Sequence, residues 1–506
     1  MPSRSFVELF AEQARTRPDA PALSWHGRVL RYAELAAWAD AAHAELVSLR
    51  IADGAPVCVP ARKSPETVAL LIACFRAGRR VLLPSAGLGP QALASLCSRA
   101  GCTHVLSAGE GGPGGPPAVV SRPSGAAPGG GGDLPPGAGL LLTTSGSTGT
   151  PKTVVLDSSG ADRFMSWAAG RFGIGPGTRV LNYAPLNFDL CLLDVWATLA
   201  AGGCAELVDP DHGVDGVRLA DLCVSRAPHV LQAVPLFFRL VTEVAAVRGL
   251  VFPEARDVLL TGDAAPPGLL ERIAATFPAA RLWNVYGCTE TNDSFLHRIT
   301  PEEIGSGGAV PIGGPVDGVA ARIVDADGRT VTGAGSGELM VATPFQAHGY
   351  LGRTPDGERW RDGWFRTGDL VRRDERGLVF LTGRGDHQVK VRGVRTNLAE
   401  VERVVMDHPQ VGEAAVLAVP DAAGDNVLHA VVRRTPGSGL NSLGLRVHCA
   451  AALPRTAIPA VFEITDEPLP VTSTGKVDRN ALRRARSPRP APEPAPAPAP
   501  GAAATA

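Results

Sequence analysis

The chain switches repeatedly between short apolar runs and amphipathic stretches. Residues 6–15 and 32–49 carry apolar side chains at three- and four-residue spacing, which predicts two helices. Residues 55–60, 80–84 and 104–107 are brief apolar runs and predict short buried strands. Such alternation predicts α/β units with largely parallel sheets. Residues 109–138, dominated by Gly and Pro, predict a solvated loop. From residue 320 the texture changes to Gly-punctuated strands at Ala320–Val324, 337–341 and 378–381. A smaller unit follows over 389–486, with a helix at Leu398–Met406 and strands at 414–419 and 427–433. The Pro/Ala-rich residues 487–506 predict a disordered tail. The expected fold class is α/β: a large N-terminal domain of α/β subdomains with a β-rich part, and a small C-terminal α+β domain.

At 506 residues, the chain is long enough for about two to four domains, with a large core that needs no disulfide or structural metal. Lys+Arg is 49 and Asp+Glu is 50, a balance that gives no electrostatic case for nucleic acid or an anionic membrane. Only four of the 49 cations are lysines: Lys63, Lys152, Lys390 and Lys476. The plain reading is a GC-rich genome that uses Arg wherever a cation suffices, so each remaining lysine is a place to look. Nine cysteines without a C-x-x-C pair indicate no zinc or disulfide framework, and with no signal pattern the expected compartment is a reducing cytoplasm. Apolar stretches such as 67–75 are too short to span a membrane.

Leu142-Thr143-Thr144-Ser145-Gly146-Ser147-Thr148-Gly149-Thr150-Pro151-Lys152 is the strongest local signal. It follows an apolar run expected to be a strand. Two glycines allow close approach of backbone, hydroxyls and N–H groups can surround phosphate oxygens, and Lys152 adds a point charge. The spacing is not that of a Walker A loop. This string resembles the phosphate-binding loop of the adenylate-forming enzymes: acyl-CoA synthetases, luciferases and adenylation domains of non-ribosomal peptide synthetases. Further stretches resemble that family's motifs in order: Asn284-Val285-Tyr286-Gly287-Cys288-Thr289-Glu290, Gly337-Glu338-Leu339, Gly349-Tyr350, Arg366-Thr367-Gly368-Asp369-Leu370, residues 383–393 and Gly475-Lys476-Val477-Asp478-Arg479. The resemblance covers about residues 5–486. It implies an N-terminal core over 1–384, a hinge at 385–386 with Asp386 as its pivot, and a mobile small domain over 387–486.

The resemblance also implies roles. ATP would be held by Thr143, Thr144, Ser145, Gly146, Ser147, Thr148, Gly149, Lys152, Gly262, Asp263, Asn284, Val285, Tyr286, Gly287, Thr289, Asp369, Arg384 and Lys476. Tyr286 would stack on adenine, Asp369 with Arg384 would take the ribose hydroxyls, and Glu290 would hold Mg²⁺. Lys476, Thr144 and Glu290 would be catalytic. Lys476 would meet the substrate carboxylate and α-phosphate together, and the Lys390 region would help form the thioester-making conformation. Phe188-Asp189-Leu190-Cys191 resembles the F-D-x-S segment of amino-acid-activating members, where the aspartate pairs with the α-ammonium. Asp194 is the competing carboxylate. The side-chain pocket would involve Leu190, Leu193, Thr261, Val285, Asp293 and Ser294, with Ala233 and Leu259 also in position; the alignment at Ala233, Leu259 and Thr261 is loose. Cys191 and Cys288 replace the family's usual serine and proline. The resemblance therefore implies ATP-dependent activation of an amino acid and transfer to the phosphopantetheine thiol of a separate carrier protein, in natural-product biosynthesis. A small accessory protein is a further partner on which no residue decides. Two alternatives stay open: an acyl- or aryl-CoA ligase in which Asp189 is incidental, and a non-catalytic scaffold. Gly109–Gly114 fits G-x-G-x-x-G, but the Gly/Pro run that follows excludes the helix a dinucleotide site needs. Lys63 falls in no assigned motif.

Overall fold

Local capping chemistry starts the helices of the first third. Ser5 opens Phe6–Thr16 with a capping box, its hydroxyl accepting from the Glu8 N–H while the Glu8 carboxylate accepts from Ser5 N–H. Ser64 caps Pro65–Arg76, with proline in the first turn where no N–H is needed. That helix is apolar on nearly every side and is buried almost throughout, as such a helix must be. The computed structural model describes residues 4–109, 116, 118–125, 134–144, 152–265, 268–306, 308–352, 359–384, 388–421, 425–470 and 477–486.

Two large sheets face a shared core. The nine-stranded sheet is parallel through Pro21–Trp25, Cys204–Leu207, Arg179–Asn182, Val230–Ala233, Asp257–Thr261 and Arg281–Cys288, with antiparallel strands at both edges. In the seven-stranded sheet, Val57–Cys58, Val81–Leu83, His104–Gly109 and Ala138–Thr144 run parallel, and Lys152–Asp157 returns antiparallel to Ala138–Thr144. Phe6, Phe10, Tyr32, Trp196 and the helix Pro65–Arg76 fill the space between the sheets. A five-stranded antiparallel sheet, built on Gly335–Ala342 and Trp364–Arg373, forms the β-rich part.

The last of its strands, Val379–Arg384, ends the core; Gln388–Val391 begins a separate hairpin with Val394–Asn397. Arg392 and Gly393 form its two-residue turn, both at positive φ (49° and 80°), the geometry that matches strand twist. The small unit adds the helices Leu398–Met406 and Ser442–Ala452 and the sheet Val411–Pro420, Asn426–Arg434 and Val461–Thr465. It docks on the core through Gly393, where a methyl would overlap Val234, and through an Arg239–Asp425 ion pair.

One expectation is corrected. The Gly/Pro-rich stretch 109–138 is not loop throughout: Ala118–Pro123 is an edge strand paired antiparallel with His104–Gly109. Its β-branched Val119 and Val120 favour extension, and Arg122 and Pro123 suit an edge. Among the described residues, no helix is long and apolar enough to cross a membrane. The tail 487–506 and residues 110–114 of the Gly-rich string lie outside the described residues.

Candidate active site

A cavity opens where the carboxyl ends of the parallel strands meet the small unit, the usual ligand position in α/β sheets. Thr143 and Thr144 enter it at the end of Ala138–Thr144, which pairs Thr144 with Lys152 on the return strand. Phe188, Asp189 and Leu190 come from the segment after Arg179–Asn182. Thr261 and Gly262, then Gly287, Cys288 and Thr289, end neighbouring strands, and Asp293 starts the returning one. Asp369 and Arg384 supply one side. Lys390, Gly393, Val394, Thr396 and Glu400 come from the small unit.

Asp369 and Arg384 face each other across paired strands and form an ion pair. Asp369 also accepts from the Tyr286 hydroxyl at 2.5 Å. That tether draws Tyr286 into the core, edge-on to Phe295 at 5.7 Å between ring centres, so its ring is not on the cavity wall. Gly287 beside it has no room for a side chain: a methyl would overlap the Asn292 carbonyl. Asn284 donates to the Pro311 carbonyl at 2.8 Å, and Val285 is core.

Glu290, 1% exposed, accepts from the Tyr350 hydroxyl at 2.5 Å, and the Lys152 ammonium lies 4.9 Å from the centre of the Tyr350 ring. Lys152, Tyr350 and Glu290 thus make a cation–aromatic–carboxylate series, buried at both charged ends and half-buried at Tyr350, beside the strand that leads into the phosphate-loop candidate. Ser145, Gly146, Ser147, Thr148 and Gly149 lie outside the described residues, as do Asp386 and Lys476.

The opposite wall is acidic. Asp189 is enclosed by protein but faces the cavity. Burial, reinforced by the charge of Glu290, raises its carboxyl to about 6, against a Thr289 hydrogen bond and the Lys390 charge. Asp293 accepts from the Gln232 amide at 3.1 Å, and burial together with the Asp189 charge raises it to about 7. Burial also raises Asp263, which Lys390 opposes. Lys390, left open between surface and function by sequence, therefore acts on three carboxylates at once.

Several expected pocket residues lie elsewhere. Leu193, Val285 and Leu259 belong to the core between the sheets, and Ala233 to the core on the other face. Ser294 turns inward, donating to the carbonyls of Thr291 and Asn292 at 3.2 and 3.1 Å. Asp194, the competing carboxylate, is buried, and the turn that carries it, Leu192–Ala197, is a π-helix. Gln232, one residue from the loosely aligned Ala233, is the side chain that reaches Asp293. Strand alternation is the signal that separates them. Lys63 is buried too, donating to the carbonyls of Asn182 and Tyr183.

The family model for AMP-binding enzymes matches residues 10–124 and 138–351, and that for the AMP-binding enzyme C-terminal domain matches 400–476. An L-proline--[L-prolyl-carrier protein] ligase of Streptomyces coelicolor is 34% identical over 69% of this chain and 66% of its own length. A Pseudomonas fluorescens protein of the same name is 34% identical over 68% of each chain. The first of these matches thus spans just under two thirds of that relative. Among solved structures, holo-PA1221, an NRPS protein containing adenylation and PCP domains bound to a vinylsulfonamide inhibitor, aligns with a TM-score of 0.80 at 25% identity, over 96% of this chain and 84% of that one.

Proposed function

The chain belongs to the AMP-binding enzyme family, and from that premise we propose that it activates an amino acid with ATP and passes it to the phosphopantetheine thiol of a carrier protein. A carboxylate oxygen of the amino acid attacks the α-phosphorus, the bond to the β-phosphate oxygen breaks, and pyrophosphate leaves behind aminoacyl-AMP. Both reactants are anionic, so catalysis consists mainly of positioning and charge stabilisation. Thr143, Thr144, residues 145–149 and Lys152 cradle the phosphates. Asp369, oriented by Arg384, accepts from the ribose hydroxyls. Gly262, Asp263, Asn284, Gly287 and Thr289 frame the nucleotide base and sugar. Lys476 bridges the carboxylate and the α-phosphate. In the second half-reaction the carrier's sulfur attacks the acyl carbon and AMP leaves.

Asp189 carries the choice of an amino acid over a plain carboxylic acid. It is a carboxylate on the cavity wall with no ion pair among the described residues, held partly protonated by burial until a cation arrives. An α-ammonium is that cation. Phe188, Leu190, Thr261 and Cys288 bound a compact space beside it, and the proline specificity in the names of the two relatives makes proline the first substrate to test.

Glu290 fits Mg²⁺ as a buried carboxylate next to Thr289 on the cavity wall, because Mg²⁺ binds through one or two carboxylates plus substrate phosphates and water. Among the described residues no group of three His, Cys, Asp or Glu could hold a metal by itself, which suits an ion that arrives with the nucleotide. When bound, the ion would neutralise phosphate charge.

The hairpin turn at Gly393 belongs with the second half-reaction in this reading. Leu469 and Val477, which flank residues 471–476, pack on one face of the three-stranded sheet, whereas Val391 packs on the other. Rotation about Asp386 would exchange one face for the other at the cavity. ATP–pyrophosphate exchange across proteinogenic and non-proteinogenic amino acids tests the function. Exchange is expected with proline or another compact amino acid; adenylate formation only with acids that lack an amine would overturn the reading in favour of an acyl- or aryl-CoA ligase.

A further inference from the structure

We propose that Lys63 is a positioning residue for amino-acid binding: it fixes the start of the 183–191 segment so that Asp189 faces the cavity. This rests on the reading of the chain as an amino-acid-activating enzyme.

Lys63 lies between Val57–Cys58 and Pro65–Arg76, on the seven-stranded sheet's side of the core. The Ser64 cap fixes the direction in which the chain turns into that helix. The Lys63 ammonium, 4% exposed, crosses to the other sheet and donates to the Asn182 carbonyl at 3.2 Å and the Tyr183 carbonyl at 3.1 Å. Asn182 O already accepts from the Val208 N–H within the sheet. Tyr183 O lies beyond the strand's end, and Lys63 is its only donor among the described residues.

The far end of the segment is held by the same group of side chains. The two N–H groups of Asn182 Nδ2 are shared among three acceptors within reach, Ala184 O at 3.2 Å, Cys191 Sγ at 3.3 Å and Asp194 Oδ2 at 3.3 Å. Asp194 is fully buried with its Oδ1 unpartnered, and burial raises its carboxyl well above the usual carboxylate range, toward the neutral form. The Asn182 amide and the Lys63 charge oppose that rise. Lys63 and Asp194 therefore bracket the two ends of the Asp189 segment, one by hydrogen bonds to carbonyls and the other through Asn182. A compact ammonium suits two carbonyls in a tight space better than the wide guanidinium fork, which accounts for a lysine here in a chain that otherwise uses arginine.

The test is pyrophosphate exchange by the full chain, varying amino acid and ATP separately, for wild type, Lys63→Met, Asp194→Asn and the charge-neutral Lys63→Met/Asp194→Asn. Lys63→Met is expected to raise the amino-acid KM about 10- to 100-fold, the cost of small misplacements at a reacting centre, with the ATP KM within about 2-fold. The double variant leaves neither ionisable group in this part of the core, so it is expected to keep a wild-type-like melting transition yet retain the raised amino-acid KM, because Tyr183 O still lacks its donor. A wild-type amino-acid KM in the double variant, or amino-acid and ATP KM rising together, would overturn the proposal. So would failure of both variants to fold, which would leave Lys63 a stability role only. Absence of exchange by wild type with every amino acid is a different failure, that of the functional reading itself.

Discussion

The two acidic walls of the cavity are built on opposite principles. Asp369 stands on a strand directly across from Arg384 and is bonded to that guanidinium and to the Tyr286 hydroxyl before any ligand arrives. Asp189 stands on an irregular segment with no cation within ion-pair distance among the described residues, and burial raises it to about 6. The first carboxylate is a preorganised acceptor whose orientation is set by sheet register. The second is an electrostatic vacancy that a substrate cation completes. In the function proposed above, one wall would recognise hydroxyls by geometry and the other would recognise charge.

Asp369→Ala should give the largest effect, because it removes the acceptor and the bond that both Arg384 and Tyr286 make to it. We expect kcat/KM for ATP to fall about 1000-fold, in line with the loss of preorganised transition-state contacts, with the amino-acid KM little changed. Steady-state exchange kinetics at varied ATP measure this, and an effect confined to the amino acid would erase the distinction between the walls.

Asp189→Asn should act on the other substrate. The expected loss is about 100-fold in kcat/KM for the amino acid, the range found when one partner of a buried charge pair is removed, with ATP unaffected. The pH profile sharpens the contrast. A carboxyl raised to about 6 becomes protonated as pH falls through 6 and can then no longer pair with an ammonium. Wild-type kcat/KM for the amino acid should therefore drop below about pH 6, and the Asn variant should lose that limb. A limb that persists unchanged in the variant would assign it to another group.

Asp293→Asn should have the smallest effect, and chiefly on stability. Its folded-state carboxyl is raised to about 7, so the unfolded chain gives up this proton at lower pH than the folded one. Stability is lost as pH rises from the ordinary carboxylate range through 7. The Asn variant should therefore melt a few degrees higher than wild type at pH 8 and about the same at pH 4; an equal gain at both values would exclude charge burial as the cause.

Motif order made the family and the plan of a large and a small domain legible in the sequence, and it picked out residues such as Thr143, Thr144 and Asp369 that the fold brings to one cavity, because each lies within a short contiguous string. Thr143, Thr144, Lys152 and Asp369 needed no partner to be found. Gln232 was harder to see: one residue along a strand reverses the face, so position alone could not separate it from Ala233. Tyr350 was visible only as part of a Gly-Tyr pair, since Glu290, its partner, is sixty residues away.

The four lysines divide along the same line. The local string that ends in Lys152 already suggests a phosphate, and the Gly475-Lys476-Val477-Asp478-Arg479 context suggests a mobile ammonium. Lys63 carries no such context, and the string around Lys390 does not say which groups it faces. Lys390 acquires its three carboxylates only when the small unit docks, and Lys63 its two carbonyls only when the two sheets close on one core. Sequence by itself determined the chemistry that is written in consecutive residues. Tertiary structure alone decided which buried charges face each other, because electrostatic and hydrogen-bond energies depend on separation in space and on exclusion of water, and neither is recorded along the chain.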